Sequence, residues 1–231
     1  AVKVMAEALG RFQPFLLAGV TGSGKTEVYL QLAAQVLERG AQVLMMIPEI
    51  GLTSQLIGRV ESRLGQKAWI YHSDLSEGER LRGWQAARSG EAQLVIGTRS
   101  AVFLPFKNLG LIVVDEEHDA SYKQIDGARY QGRDLAVWRA KYRDCPIVLG
   151  SATPSLESLN NVEGGRYELL KLVERATDAP QPQWRIIDQR RQNEGLSPEL
   201  IELIKKHLEQ SGQVLIYRNR RGYAPVVMCQ A

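Results

Sequence analysis

Short apolar runs alternate along the chain with stretches of helical periodicity. FLLAGV (15–20), QVLMMI (42–47), QLVIG (93–97), LGLIVVD (109–115) and PIVLG (146–150) are nearly continuous in Val, Ile, Leu and other apolar residues. Strands covered on both faces read this way, whereas strands with one wet face alternate. Between the first two runs lies KTEVYLQLAAQVLERG, where Tyr29, Leu32, Ala33, Val36 and Leu37 fall on one helical face and Gly40 supplies the stop. Ser76 and Glu79 have the spacing of a capping box and predict a helix over 76–89. Strand, helix and strand repeat in this order, so the fold class is α/β, a parallel sheet flanked by helices and joined by right-handed crossovers.

The pattern changes at 174–196. ERATDAPQPQW is rich in proline and polar residues, and QRRQNEGLS is charged and turn-rich, as expected of a linker. Ser197-Pro198 then opens a predicted helix running to 211, with Leu200, Leu203, Ile204 and Leu208 inward and Gly212 as its stop. QVLIY (213–217) reads as the strand that follows. The expected organisation is therefore a first domain over 1–173, a linker over 174–196 and the start of a second domain over 197–231. AVKVMAEALG begins in helical pattern without an N-cap and MCQA stops just after a cysteine, as expected of a fragment of a longer protein.

Composition narrows the picture only slightly. At 231 residues, with 44% hydrophobic and 24% charged, the chain is an ordinary globular one. The net charge of +3 announces no nucleic-acid partner, so such a reading must rest on local clusters such as RNRR at 218–221. Two cysteines, Cys145 and Cys229, make no disulfide framework and suit a reducing cytoplasm. No apolar run approaches membrane-spanning length, and no membrane partner is expected.

Three motifs carry chemistry, each at the end of an apolar run. Gly19-Val-Thr-Gly-Ser-Gly-Lys25-Thr26 fits the phosphate-binding loop in its strand–loop–helix context. The small residues Gly19, Thr21, Gly22, Ser23 and Gly24 let backbone N–H groups approach phosphates, helped by the dipole of the helix that starts there. Lys25 would reach the β- and γ-phosphates of ATP, and the Thr26 hydroxyl would hold Mg²⁺. LIVVDEEH (111–118) ends a buried strand abruptly in three acids and a histidine. Carboxylates at that edge meet ligands rather than packing needs. Asp115 would hold Mg²⁺ with Thr26, and Glu116 would orient the attacking water. GSATPS (150–155) follows the next strand, where Ser151, Ala152 and Thr153 could sense the phosphate site and relay its state.

GVTGSGKT, DEEH and GSATPS, in this order and each after a parallel strand, resemble the superfamily 2 helicases. PEIGLTSQ (48–55), YHSDLSEGER (71–80), GTRSAVFLPF (97–106), DEEHDASYKQIDGARYQGRDLAVWRA (115–140) and NRRGYAP (219–225) are similar to the PriA family of replication-restart helicases, over nearly the whole chain. The resemblance implies a RecA-like first motor lobe, a linker and the truncated start of a second RecA-like lobe. It implies contact with the backbone of single-stranded DNA through Thr53, Gln55, Thr98, Arg99 and Ser100, by side chain or main chain. It further implies an aromatic-rich loop in which Tyr122, Lys123, Arg129 and Tyr130 meet DNA and couple that contact to hydrolysis. His118 would link water positioning to conformational change. Trp138, in contrast, lies on a helical apolar face and is expected in the core, while His72 and His207 carry no expected role.

Forked DNA, primosome components and single-strand-binding proteins are the implied partners, and the cytoplasm of a bacterial cell, in association with the nucleoid, the implied location. Cys229 is similar to the first cysteine of the family's zinc-binding insertion; its partners are absent from the chain, so Zn²⁺ is expected in the parent protein only. Family members also carry a fork-binding domain, adenine-contacting residues and a nearly complete second lobe that this sequence lacks, so little hydrolysis is expected from the fragment alone. Two rival readings remain on sequence grounds. A P-loop phosphotransferase would want an arginine-rich lid and an acceptor pocket. An interaction module would hold ATP without turning it over.

Overall fold

The computed structural model describes residues 1–173, 183–186 and 196–217. The chain divides into two units, Ala1–Ala179 and Pro180–Ala231. In the first, α1 (Val2–Ala6), β1 (Pro14–Gly19), α2 (Lys25–Glu38), β2 (Gln42–Met46), α3 (Ser54–Leu64), β3 (Trp69–Tyr71), α4 (Glu77–Ser89), β4 (Leu94–Gly97) and β5 (Leu109–Val114) follow in order. A short hairpin of β6 (Lys123–Gln124) and β7 (Tyr130–Gln131) leads into α5 (Gly132–Arg143), β8 (Ile147–Ser151), α6 (Leu156–Glu163) and β9 (Glu168–Leu172). Seven strands form one parallel sheet in the order β3-β4-β2-β5-β8-β1-β9.

The near-continuous hydrophobicity of the five predicted strands has a direct cause: both faces of the sheet are covered. Along β2, Val43 and Met45 join one cluster with α2 residues Leu32 and Val36, Met5 of α1 and Val60 of α3. Leu44 and Met46 point the other way, into a cluster with Ala86 and Ala87 of α4 and Ala136 and Ala140 of α5. The two strands that periodicity misses, β3 and β9, are the two edges of the sheet. They are short, partly exposed and, in β9, interrupted by Glu168 and Lys171, so their apolar signal is weak.

Helix boundaries follow their caps. Gly40, at φ 71°, ends α2 immediately after the C-cap Arg39. Ser76 and Glu79 form the reciprocal capping box that starts α4. Trp138 corrects the expectation of burial, being 63% exposed and stacked on Tyr142 at 5.5 Å. Small residues, Ala136 and Ala140, face the sheet from α5, and Trp138 lies two positions and so about 200° from Ala136.

In the second unit, α7 (Pro198–Glu209) starts at Ser197, whose hydroxyl accepts the Leu200 N–H. Two expectations fail there. Leu203 and Leu208 are 37% and 53% exposed rather than inward. Residues 212–217 form no strand, because the described residues offer them no neighbouring strand to pair with. Most of the predicted linker (174–182 and 187–195), together with RNRR, NRRGYAP and Cys229, lies outside the described residues. No helix among the described residues is long and apolar enough to cross a membrane.

Candidate nucleotide and nucleic-acid site

Parallel pairing brings the carboxyl ends of β1, β5 and β8 to one sheet edge, and with them the three motifs. The loop from β1 to α2 turns through Gly22 and Gly24 at φ 79° and 87°, a region that favours glycine. Gly19 is needed for a different reason: a Cβ there would sit 2.5 Å from Ser23 Oγ. Lys25 is buried and its Nζ donates to the Gly19 carbonyl at 2.8 Å. Ser23 Oγ is buried without a hydrogen-bond partner. A buried hydroxyl is seldom left so, and this one, beside a lysine parked on a loop carbonyl, fits a site whose polar groups are completed by phosphate oxygens. Thr21 is exposed, and Thr26 half-buried in the first turn of α2.

Asp115 and Glu116 lie just beyond β5. Tyr29, fully buried on α2, donates its hydroxyl to Asp115 Oδ1 at 3.0 Å. Its ring crosses the end of β8 so closely that a Cβ on Gly150 would lie 1.5 Å from the Tyr29 hydroxyl oxygen, so only glycine fits there. Burial, and after it the neighbouring Glu116 carboxylate, push the Asp115 carboxyl above the ordinary aspartate range. Burial and Asp115 in turn hold the Tyr29 phenol well above its usual value, so it remains a donor. A half-buried carboxylate whose donors are neutral fits a cation ligand, with the Thr26 hydroxyl at the start of α2 as a candidate second one.

Glu116 adopts φ 45°, left-handed backbone unusual for a residue with a side chain. His118 Nδ1 lies 3.7 Å from Glu116 Oε2 and 2.7 Å from Ser151 Oγ, and Nε2 lies 3.3 Å from Thr153 Oγ1. One imidazole thus bridges the acidic loop after β5 and the SAT segment after β8. Thr153 N–H donates to Ser151 Oγ at 2.9 Å, which leaves the serine hydroxyl hydrogen free for His118 Nδ1. Ala152, between the two contacts, is partly buried.

The residues expected to face DNA divide. Thr53 and Gln55 are exposed, although the Thr53 hydroxyl is occupied as the N-cap of α3, accepting the Leu56 N–H at 3.2 Å. Lys123 and Arg129 are exposed and, with the half-buried Tyr130, line a groove of about 450 Å³ along the hairpin. Tyr130 packs edge-on against Phe103, ring centroids 5.1 Å apart. Tyr122 corrects the expectation of a stacking surface. It is fully buried and donates its hydroxyl to the Asp115 carbonyl at 2.7 Å, because the turn after Asp119 folds its ring into the core on the α5 side of the sheet.

Thr98 is also turned inward, 2% exposed, with its N–H donated to the Tyr71 carbonyl. Arg99 is spent internally as well, donating through Nη1 to the carbonyls of Ser121 and Lys123 at 2.9 and 2.7 Å. The hydroxyl of Ser100 is buried and lacks a partner. Sequence reasoning gave Tyr29, Glu117 and Arg133 no role in the site. Tyr29 reads as one more apolar position on a helix face, and the other two become partners only through the fold.

The parallel sheet with a phosphate loop, an acidic loop and an SAT turn at one edge defines a RecA-like P-loop lobe. Residues 2–162 match the DEAD/DEAH box helicase family, and the chain belongs to it. It is 50% identical over 220 residues to the replication restart protein PriA of Haemophilus influenzae, covering 94% of this chain and 30% of that protein. It is 43% identical over 221 residues to the protein of the same name in Bacillus subtilis, covering 94% and 28%. The chain therefore spans less than a third of the length of these relatives. Two solved structures share the fold: RecG bound to a three-way DNA junction, and the helicase MrfA bound to DNA and AMPPNP. RecG superimposes with a TM-score of 0.55 at 20% identity, covering 91% of this chain and 27% of RecG. MrfA gives 0.57 at 19%, covering 85% and 30%.

Proposed function

We propose that this chain is the first motor lobe, with the linker and the start of the second lobe, of an ATP-dependent DNA helicase of the replication-restart primosome. The protein would translocate on single-stranded DNA and unwind it at stalled forks in the bacterial cytoplasm, at the nucleoid. Primosome and single-strand-binding proteins would be its partners. The domain division proposed is 1–173, 174–196 and 197–231. The observation that carries the reading is His118, which lies 3.7 Å from Glu116 and hydrogen-bonds Ser151 and Thr153 at the end of the neighbouring strand. A phosphotransferase has no need to report the state of its phosphate site to a second strand, whereas a motor has. Identity of 50% to a replication restart protein over 94% of the chain supports the same reading.

Lys25 would leave the Gly19 carbonyl for the β- and γ-phosphates, and loop N–H groups would hold the remaining oxygens. Mg²⁺, when bound through Thr26 and Asp115, would offset charge on those phosphates. Glu116 would accept a hydrogen bond from the attacking water and fix its line of approach. His118, Ser151, Ala152 and Thr153 would register the change as γ-phosphate departs. Thr53, Gln55 and, through its main chain, Ser100 would meet the DNA backbone, while Lys123, Arg129 and Tyr130 would meet it from the hairpin. Zn²⁺ would belong to the parent, with Cys229 as a ligand.

ATP hydrolysis by the whole protein, with and without single-stranded DNA, tests the reading. The expected result is turnover that rises with DNA and is abolished by Lys25→Ala at unchanged melting temperature. Turnover indifferent to DNA, or surviving in Lys25→Ala, would overturn it.

A further inference from the structure

Glu117 has no part in this mechanism, yet among the described residues it is the only fully buried acid. Its Oε1 accepts the Ser155 N–H at 2.7 Å. Its Oε2 accepts from Arg133 Nη1 at 3.1 Å and from the hydroxyls of Ser155 and Ser158 at 2.9 Å each. Arg133 is buried with it, and the same Nη1 reaches Ser155 Oγ at 2.7 Å while Nε reaches Asp134 at 2.8 Å. A carboxylate buried this completely persists because both of its oxygens accept hydrogen bonds and its charge is paired with Arg133.

We propose that the Arg133–Glu117 pair is a positioning element that fixes the strained backbone of Glu116 and carries the position of the β6–β7 hairpin to that carboxylate. Glu116 sits between two anchored neighbours. The main chain of Asp115 is held by Tyr122 and by donation to the Met46 carbonyl at 2.9 Å. Glu117 is held by its side-chain network and by donation of its N–H to the Gly150 carbonyl at 3.0 Å. A left-handed residue with a side chain survives where its surroundings over-determine it, and these anchors supply that determination.

The connection outward is covalent. Arg133 is the second residue of α5, whose first residue directly follows β7. Gly132 is packed so tightly that a Cβ there would come within 3.1 Å of Arg99 Cγ and 3.3 Å of the Tyr122 carbonyl oxygen. A displaced hairpin therefore moves the Arg133 guanidinium, and with it Glu117 and the N-cap of α6, Ser155.

This proposal rests on the reading of the whole protein as a DNA-stimulated ATPase. The test uses the whole protein with Arg133→Gln, Glu117→Gln and the double variant. Measured are Mg-ATP affinity, melting temperature, and the ratio of DNA-stimulated to basal turnover well below the melting temperature. A pair that merely stabilises the fold scales both rates by the folded fraction and leaves the ratio alone. We expect the ratio to fall about 5- to 30-fold in the variants, with nucleotide affinity within about twofold of wild type. The double variant buries no unmatched charge, so it should recover melting temperature without recovering the ratio, and it carries the test if the single variants fail to fold. A ratio near that of wild type in the folded variants overturns the proposal alone. A wild-type protein indifferent to DNA overturns the functional reading first, and the proposal with it.

Discussion

The loop leaving β1 and the loop leaving β5 face the same sheet edge, yet they use their polar groups differently. In the first, Ser23 Oγ is buried without a partner, Lys25 rests on the carbonyl of Gly19, and two glycines hold left-handed turns. In the second, Asp115 is bonded to Tyr29 and Tyr122, Glu117 to Arg133, Ser155 and Ser158, and His118 to Ser151 and Thr153. The first loop carries hydrogen-bonding groups that suit a phosphate. The second is braced from α2, α5, α6 and the end of β8, and leaves Glu116 as its strained, half-exposed member. On the proposed reading, one would hold the nucleotide through its backbone and the other would aim a side chain by rigidity.

Removing a brace should therefore cost more than removing an unpartnered group. Tyr122→Ala deletes a fully buried ring and its hydrogen bond, and should destabilise the lobe by about 3–5 kcal/mol. Tyr122→Phe keeps the ring and should cost about 1 kcal/mol. Ser23→Ala removes a hydroxyl that bonds nothing and should leave stability within about 0.5 kcal/mol. Chemical denaturation of the three variants makes the comparison; equal losses for Tyr122→Ala and Ser23→Ala would erase the distinction between the loops.

The second prediction concerns function rather than stability. Glu116→Gln keeps the shape of the aimed side chain and should retain Mg-ATP binding through Thr26 and Asp115. Turnover should fall by about 10²-fold or more, the cost of losing a water-orienting carboxylate. Nucleotide affinity and single-turnover rate separate the two effects. If affinity falls in step with rate, Glu116 belongs to the binding shell.

The contrast between loops also explains what could be read from the sequence. The phosphate loop is local: its glycines, Lys25 and Thr26 lie within eight residues, and spacing alone sets their geometry. The five inner strands were legible because burial on both faces leaves an apolar run. The bracing of the second loop was not legible, because Tyr29, Arg133 and Ser155 come from α2, α5 and the turn after β8. Tyr122 misled for the same reason. Its polar neighbours in sequence suggest exposure, but the turn that follows Asp119 directs its ring inward, where Ala136 and Ala140 of α5 leave room. Trp138 misled in the opposite sense, since a helical apolar stripe says which residues share a face and not which face meets the sheet.

The smallest effect falls on the hairpin, where two aromatic residues with unlike surroundings test the DNA-facing assignment. Tyr130 is half-buried against Phe103 and borders the groove that Lys123 and Arg129 also line. Trp138 is more exposed but stacks on Tyr142 of its own helix, away from that groove. Exposure alone would make Trp138 the better platform for a base. Juxtaposition with two exposed cations favours Tyr130, because a base that stacks must bring its phosphate to a positive neighbour. Tyr130→Ala in the whole protein should weaken single-stranded DNA binding by about 1–3 kcal/mol, with the salt dependence of binding retained because Lys123 and Arg129 remain. Trp138→Ala should leave DNA binding within about 0.5 kcal/mol of wild type. Fluorescence anisotropy titrations with labelled oligonucleotide at two salt concentrations measure both. A larger loss in Trp138→Ala than in Tyr130→Ala would move the DNA contact from the hairpin to the outer face of α5.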